Sequence, residues 1–174
     1  MDLVQNSIRA QATKIDISVH ESQTTNRLDI TIADNGVGMP YQILQKVTDP
    51  FYTSRTTRKV GLGIPLYKHL VDQCNGRLSI ISVEGQGTTL TSYMELNHID
   101  RQPMGDISGI LVLLISANPR IRFIYTHETE TGKYKVDTNE IKNILGNNDN
   151  YEPGILRSIN DMIIENLKEI HLNC

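Results

Sequence analysis

Cysteine is scarce in this 174-residue sequence: Cys74 and Cys174 stand far apart without CxxC spacing, which suggests neither a disulfide framework nor a zinc site. A reducing cytoplasm is the natural expectation. Basic runs are missing as well. With a net charge of −3 the chain offers no cationic field, so no nucleic-acid partner is expected. The longest apolar run, GILVLLIS at 109–116, falls well short of the ~20 residues that a membrane span requires, so no membrane partner is expected either. The C-terminal HLNC is not a prenylation box. Internal repeats and low-complexity tracts are absent. The five histidines (His20, His69, His98, His127 and His171) show no metal spacing along the chain. What remains is a soluble protein long enough for one ordinary domain, or for a small domain with an appended unit.

What is present is regular patterning punctuated by glycine. DLVQNSIRAQA reads as a helix with Leu3, Val4, Ile8 and Ala12 on one side. KIDISVH and RLDITIA alternate in period two, and the polar ESQTTN between them predicts an antiparallel pair with one buried face. PYQILQKV follows as a short helix opened by Pro40, and DPFYTSRTTRKV reads as a loop. GLGIPLYKHLVDQCNG opens a helix on a glycine turn and stops it at Asn75-Gly76, with Leu62, Leu66 and Leu70 predicted to pack inward. Strands RLSIISV and TTLTSYMEL flank the tight turn EGQG, and NHIDRQPMGD is a plausible boundary. Beyond it come an apolar helix at 107–117, a strand pair IRFIYTHE and KYKVDT, and two helices. Asp137 and Glu140 have capping-box spacing for the first of these helices. The last carries an amphipathic stripe from Ile155 to Ile170.

Four features share one theme, in which an apolar element ends and a polar or glycine-rich turn faces outward: QNS, DNGVGM, GLG and GQGTT. Any one of them alone is weak, because a glycine pair at a turn usually answers only a need for φ > 0. Their order makes chemical sense together. Glycines at a helix start let backbone N–H groups approach phosphate. A carboxylate at a strand end can accept the amine of adenine, and a helix amide can complete the coordination of Mg²⁺.

The ordered set DLVQNSIRAQA, DNGVGM, DPFYTSR, GLGIPL and GQGTT resembles the ATP-binding domain shared by DNA gyrase, the ninety-kilodalton heat-shock chaperone, histidine kinases and the MutL repair ATPase, the GHKL group. The likeness covers roughly residues 1–96. It implies a Bergerat-type α/β two-layer sandwich, with helices on one face of a mixed, mostly antiparallel sheet. The expected organisation is an ATP-binding domain at 1–98 and a small α+β unit at 99–174 without an assigned role, with extension of the sheet or dimerisation through the last helix as the plain alternative. By this resemblance Asp34 reads the adenine amine, Gly36 and Gly38 make the turn that lets the nucleotide lie against bare backbone, Met39 adjoins them, and Thr88 helps through water. Asn6 matches the magnesium-binding asparagine. Asp2, one helical turn earlier, stands where many relatives carry the glutamate that activates the attacking water or hydroxyl. Phe51, Thr53, Ser54, Arg55 and Lys59 match the nucleotide lid, followed by Gly61, Leu62 and Gly63 at the helix start. Lys59 replaces the glycine that the family usually carries two positions before GLG.

The cofactors implied are ATP and Mg²⁺. Three uses compete: hydrolysis coupled to lid closure and dimer contacts, phosphotransfer by a protein kinase of the sensor-histidine or anti-sigma serine type, and nucleotide sensing without turnover. The resemblance also implies a stand-alone bacterial type acting on another protein, which could be associated with a redox enzyme, and a possible homodimer.

Overall fold

Strand β1 (Lys14–Ser22) and strand β2 (Arg27–Asp34) pair antiparallel, as their alternation predicts, with Ile15 opposite Asp34 and Glu21 opposite Leu28. In the computed structural model, which describes residues 1–49, 62–144 and 151–171, this pair lies at the centre of a six-stranded sheet. Strands β3 (Arg77–Val83) and β4 (Gly87–Glu95) form a hairpin whose second strand pairs with β2. On the other side, β5 (Arg122–Glu128) runs parallel to β1, and β6 (Lys133–Asp137) closes the far edge. The order is β3-β4-β2-β1-β5-β6, antiparallel at every pairing except β1 with β5.

Period two sends Ile15, Val19, Leu28, Ile32, Leu90, Met94, Phe123 and Tyr125 to one face, and all are buried. Their alternates, such as Ser18, His20, Thr91 and Tyr93, are exposed. Helices α1 (Asp2–Arg9), α3 (Gly63–Gln73), α4 (Ile107–Ala117) and α6 (Pro153–His171) supply the apolar partners of the buried face, through Val4, Val71, Leu114 and Ile163 among others. This is the expected α/β two-layer sandwich. Two shorter helices, α2 (Tyr41–Leu44) and α5 (Thr138–Ile144), complete the described elements.

Two local readings change. Helix α1 stops at Arg9 rather than running on to Ala12, because Gln11 takes a left-handed conformation at φ 57° and turns the chain into β1. Leu62 and Leu66 are exposed, at 40% and 57%, while Pro65, Val71 and Cys74 face inward. The leucine row forms the outer edge of the apolar stripe of α3, and Leu66 and Leu70 line a groove between α1, α3 and α4. The strands after residue 98 belong to the same sheet as those before it.

Candidate nucleotide-binding site

A cavity of about 350 Å³ opens between α1, the start of α3 and the β3-β4-β2 end of the sheet. Ile32, Ile80, Leu90 and Met39 give it apolar walls, and Asn6, Arg9, Asp34 and Thr88 contribute polar groups. Register sets the floor. Asp34 ends β2 directly opposite Thr88 of β4, and Thr88 in turn lies opposite Ser82 of β3. One carboxylate and two hydroxyls thus form a row across three strands.

Hydrogen bonds fix each member of that row. Asp34 Oδ2 accepts from Ser7 Oγ at 2.6 Å, and Asp34 Oδ1 accepts from the Gly36 N–H at 2.9 Å. Each carboxylate oxygen therefore keeps one lone pair. Ser82 Oγ donates to the Gly87 carbonyl at 3.0 Å and accepts from the Met39 N–H at 2.8 Å. With its single proton used there, its 2.8 Å contact with Thr88 Oγ1 takes the Thr88 proton, which leaves Thr88 an acceptor toward the cavity.

The turn after Asp34 is held from both sides. The Val37 N–H donates to Ala10 O at the end of α1, and the Gly85 N–H of the β3–β4 turn donates to Val37 O, each at 2.8 Å. Asn35 Oδ1 accepts from the N–H groups of Thr13 and Lys14, so this asparagine clamps the α1–β1 connection. The two glycines serve close packing. A Cβ at Gly36 would lie 2.5 Å from Ala10 O, and one at Gly38, where φ is +66°, would lie 2.1 Å from Val83 O.

Asn6 lines the cavity from α1, with Arg9 Nη1 donating to its Oδ1 at 3.4 Å. Gly63 lines it as well. Gly36 and Leu62 lie beside the cavity rather than in its wall. Asp2 is exposed and outside the lining, and its side chain packs against Gly63, where an added Cβ would meet Asp2 Cβ at 3.0 Å. Phe51, Thr53, Ser54, Arg55, Lys59 and Gly61 lie outside the described residues. Sequence reasoning missed Ser7, Arg9 and Ser82. The adjacency of Ser7 to Asn6 was the available signal for the first, and the period-two phase of Ser82 with Ile80 for the last.

Chemically, the cavity is a narrow apolar slot ending on acceptors, suited to a planar base that presents an amine. Its size falls at the small end of ligand pockets, ~300–1,000 Å³. Comparison with known proteins agrees with the motif order, since the model of the "Histidine kinase-, DNA gyrase B-, and HSP90-like ATPase" family matches residues 1–98. The chain belongs to that family. ATP binding comes with membership in this ATPase family. Among its relatives, the sensor protein kinase WalK of Staphylococcus haemolyticus is 37% identical over 92 residues, which is 50% of this chain and 15% of that kinase. WalK of Staphylococcus aureus is 39% identical over 82 residues, 44% of this chain and 20% of the kinase. The chain thus matches only a small part of these kinases. Among solved structures, the catalytic domain of histidine kinase ThkA aligns with a TM-score of 0.45 at 24% identity, covering 57% of this chain and 65% of that one. No helix among the described residues is long and apolar enough to cross a membrane.

Proposed function

We propose that this ATPase-family chain binds ATP with Mg²⁺ in the α1–β2–β4 cavity and uses hydrolysis or phosphotransfer as a regulatory switch on a partner protein. The row Asp34–Thr88–Ser82 beneath an apolar slot carries the proposal. The free lone pairs of Asp34 accept the exocyclic amine of adenine, while Ile32, Ile80 and Leu90 exclude water around the ring. Thr88, left as an acceptor, takes one proton of a water whose other proton reaches a ring nitrogen of the base. Asn6 offers an amide oxygen suited to Mg²⁺, which takes few protein ligands and fills its shell with water and phosphate oxygens. When bound, the ion neutralises phosphate charge. Arg9 adds a cation on the same helix. Asp2 is the candidate for activating the attacking water or hydroxyl.

A second reading has its own observation. Asp2 is exposed and outside the cavity lining, which favours a nucleotide-sensing module without turnover.

Calorimetric titration with ATP and GTP, with and without magnesium, tests the binding claim. ATP is expected to bind at least tenfold more tightly than GTP. Asp34→Asn, which turns an acceptor into a donor facing a donor, is expected to cost about 1–3 kcal/mol of that affinity. Asn6→Ala is expected to remove the magnesium-dependent part and leave binding in a chelator unchanged. No complex at millimolar ATP with magnesium would end the proposal. Incubation with γ-labelled ATP then separates the uses: free phosphate marks hydrolysis, label on a partner marks a kinase, and binding without either marks a sensor.

A further inference from the structure

We propose that Glu21, His127 and His171 form a three-ligand site for a divalent transition metal, zinc first among them, which fastens the end of α6 to the sheet. Three elements meet there. Glu21 follows Ile15, Ile17 and Val19 on the helix-facing row of β1, and His127 follows Phe123 and Tyr125 on that of β5. Strand register sets Val19 beside His127, so Glu21 lies just beyond it. His171 arrives from the last turn of α6, four residues after Leu167.

Ligand distances suit a metal. Glu21 Oε1 lies 3.2 Å from His127 Nε2 and Glu21 Oε2 lies 3.7 Å from His171 Nε2. One ligand atom from each residue falls within 4.8 Å of the other two. A tetrahedral centre with bonds of ~2.0–2.1 Å separates its ligand atoms by roughly 3.3–3.4 Å, so small side-chain rotations close the set.

Proton placement is the second observation. His171 Nδ1 lies 2.6 Å from the Leu167 carbonyl, which only accepts, so Nδ1 carries a proton. In the neutral ring, Nε2 then turns its lone pair toward the Glu21 carboxylate. Two acceptors facing each other need a cation between them. His127 Nδ1 lies 2.7 Å from Tyr125 Oη, which can donate or accept: with the proton on Nδ1 the Nε2 lone pair is open to a metal, and with it on Nε2 the ring donates to Glu21. Burial pushes the Tyr125 phenol up, so it stays a neutral hydroxyl. A second ring nitrogen held by a carbonyl or hydroxyl is the usual support for a metal-bound histidine. The hydrogen bond from His127 outweighs the opposing effect of burial and, with positive charge nearby, holds the Glu21 carboxyl below the usual carboxylate range.

Two imidazoles and one carboxylate suit zinc and its first-row neighbours, with remaining positions open to water. Access is from the His171 side, since that side chain is 44% exposed and His127 only 1%. Thr129 Oγ1 donates to the Ile170 carbonyl at 2.7 Å and Thr131 Oγ1 bonds the same oxygen, so the helix end is already docked where the ligands meet. The site is remote from the nucleotide cavity: Ile15 lies opposite Asp34, and Glu21 is six residues further along β1, roughly 20 Å away.

Titrating the untagged chain with CoCl2 and then ZnCl2 tests this. A one-to-one cobalt complex with tetrahedral ligand-field bands, displaced by zinc and raising the melting temperature, is the expected result. His171→Ala and the near-isosteric Glu21→Gln should each weaken zinc binding at least tenfold, and Tyr125→Phe by about 10–100-fold. His69→Ala and Asp34→Asn should bind zinc as the parent does, the latter separating this site from the nucleotide reading. No one-to-one complex at micromolar metal, or parent-like binding in both His171→Ala and Glu21→Gln, would overturn the site and leave a proton as the cation between the groups.

Discussion

Asp34 points into its cavity because two donors aim it, and the donors differ in kind. The Gly36 N–H belongs to the same turn and survives any side-chain change, whereas the Ser7 hydroxyl reaches across from α1. Ser7→Ala therefore removes one bond and leaves the other. A hydrogen bond of this type is worth about 1 kcal/mol net. ATP affinity should fall roughly fivefold with a small drop in melting temperature, as read by calorimetry and a thermal scan. Unchanged affinity would mean that Gly36 alone aims the carboxylate. The place of Asp34 in the cavity lining was legible in the sequence through the order of motifs around DNGVGM. The part of Ser7 was not, since a contact over 27 residues exists only once α1 lies across the end of β2. The histidines are a sharper case. Their spacing along the chain says nothing, because strand register and a helix end bring His127 and His171 to Glu21.

At the scale of elements, the entry to α5 combines a cap with an ion pair. Asp137 Oδ1 accepts from the Asn139 N–H at 3.0 Å, and its carboxylate takes both Nε and Nη2 of Arg122 from the neighbouring strand. Thr138 Oγ1 accepts from the Phe123 N–H, so helix and strand are tied at two successive residues. The capping residue was readable from its spacing, whereas Glu140 lies 3.9 Å from Lys135 and answers the strand. The Arg122 partner required the β5–β6 hairpin to form first. The Arg122 guanidinium, aided by the Asn139 N–H, holds the Asp137 carboxyl below the usual carboxylate range. A carboxyl depressed in the folded state stabilises above its unfolded value, about 3.9, and that contribution fades as pH falls through the folded value. Asp137→Asn should cost about 1–3 kcal/mol at pH 7, and the difference from the parent should shrink steadily below pH ~4. Denaturant unfolding at several pH values checks this. A gap that stays constant into acid would assign the loss to the cap rather than to charge.

For the whole molecule, the parallel pairing of β1 with β5 decides how the chain holds together. The boundary read near residue 98 falls between β4 and α4, yet seven register pairs, Lys14 to His20, join the strands on either side of it. The core crosses the same line, since Val19, Leu28, Val71 and Met94 pack with Leu111, Tyr125, Val136 and Ile163. Extension of the sheet by residues 99–174 was one of the open expectations, and no motif decided it. Period-two patterning shows which face of a strand is buried, but it does not name the strand's neighbour. Ending the chain after His98 would leave β1 as an edge with unpaired N–H and C=O groups and strip the cover from a row of buried side chains. The full chain is therefore expected to unfold by heat in one step, with far-UV dichroism and tyrosine fluorescence giving the same midpoint. The 1–98 fragment is expected to lose that cooperative transition or to associate through the bare edge. Two separated transitions in the full chain, or a fragment that melts at the parent's midpoint, would show instead that the nucleotide-binding half stands alone and that β5 and β6 are attached to a finished sheet.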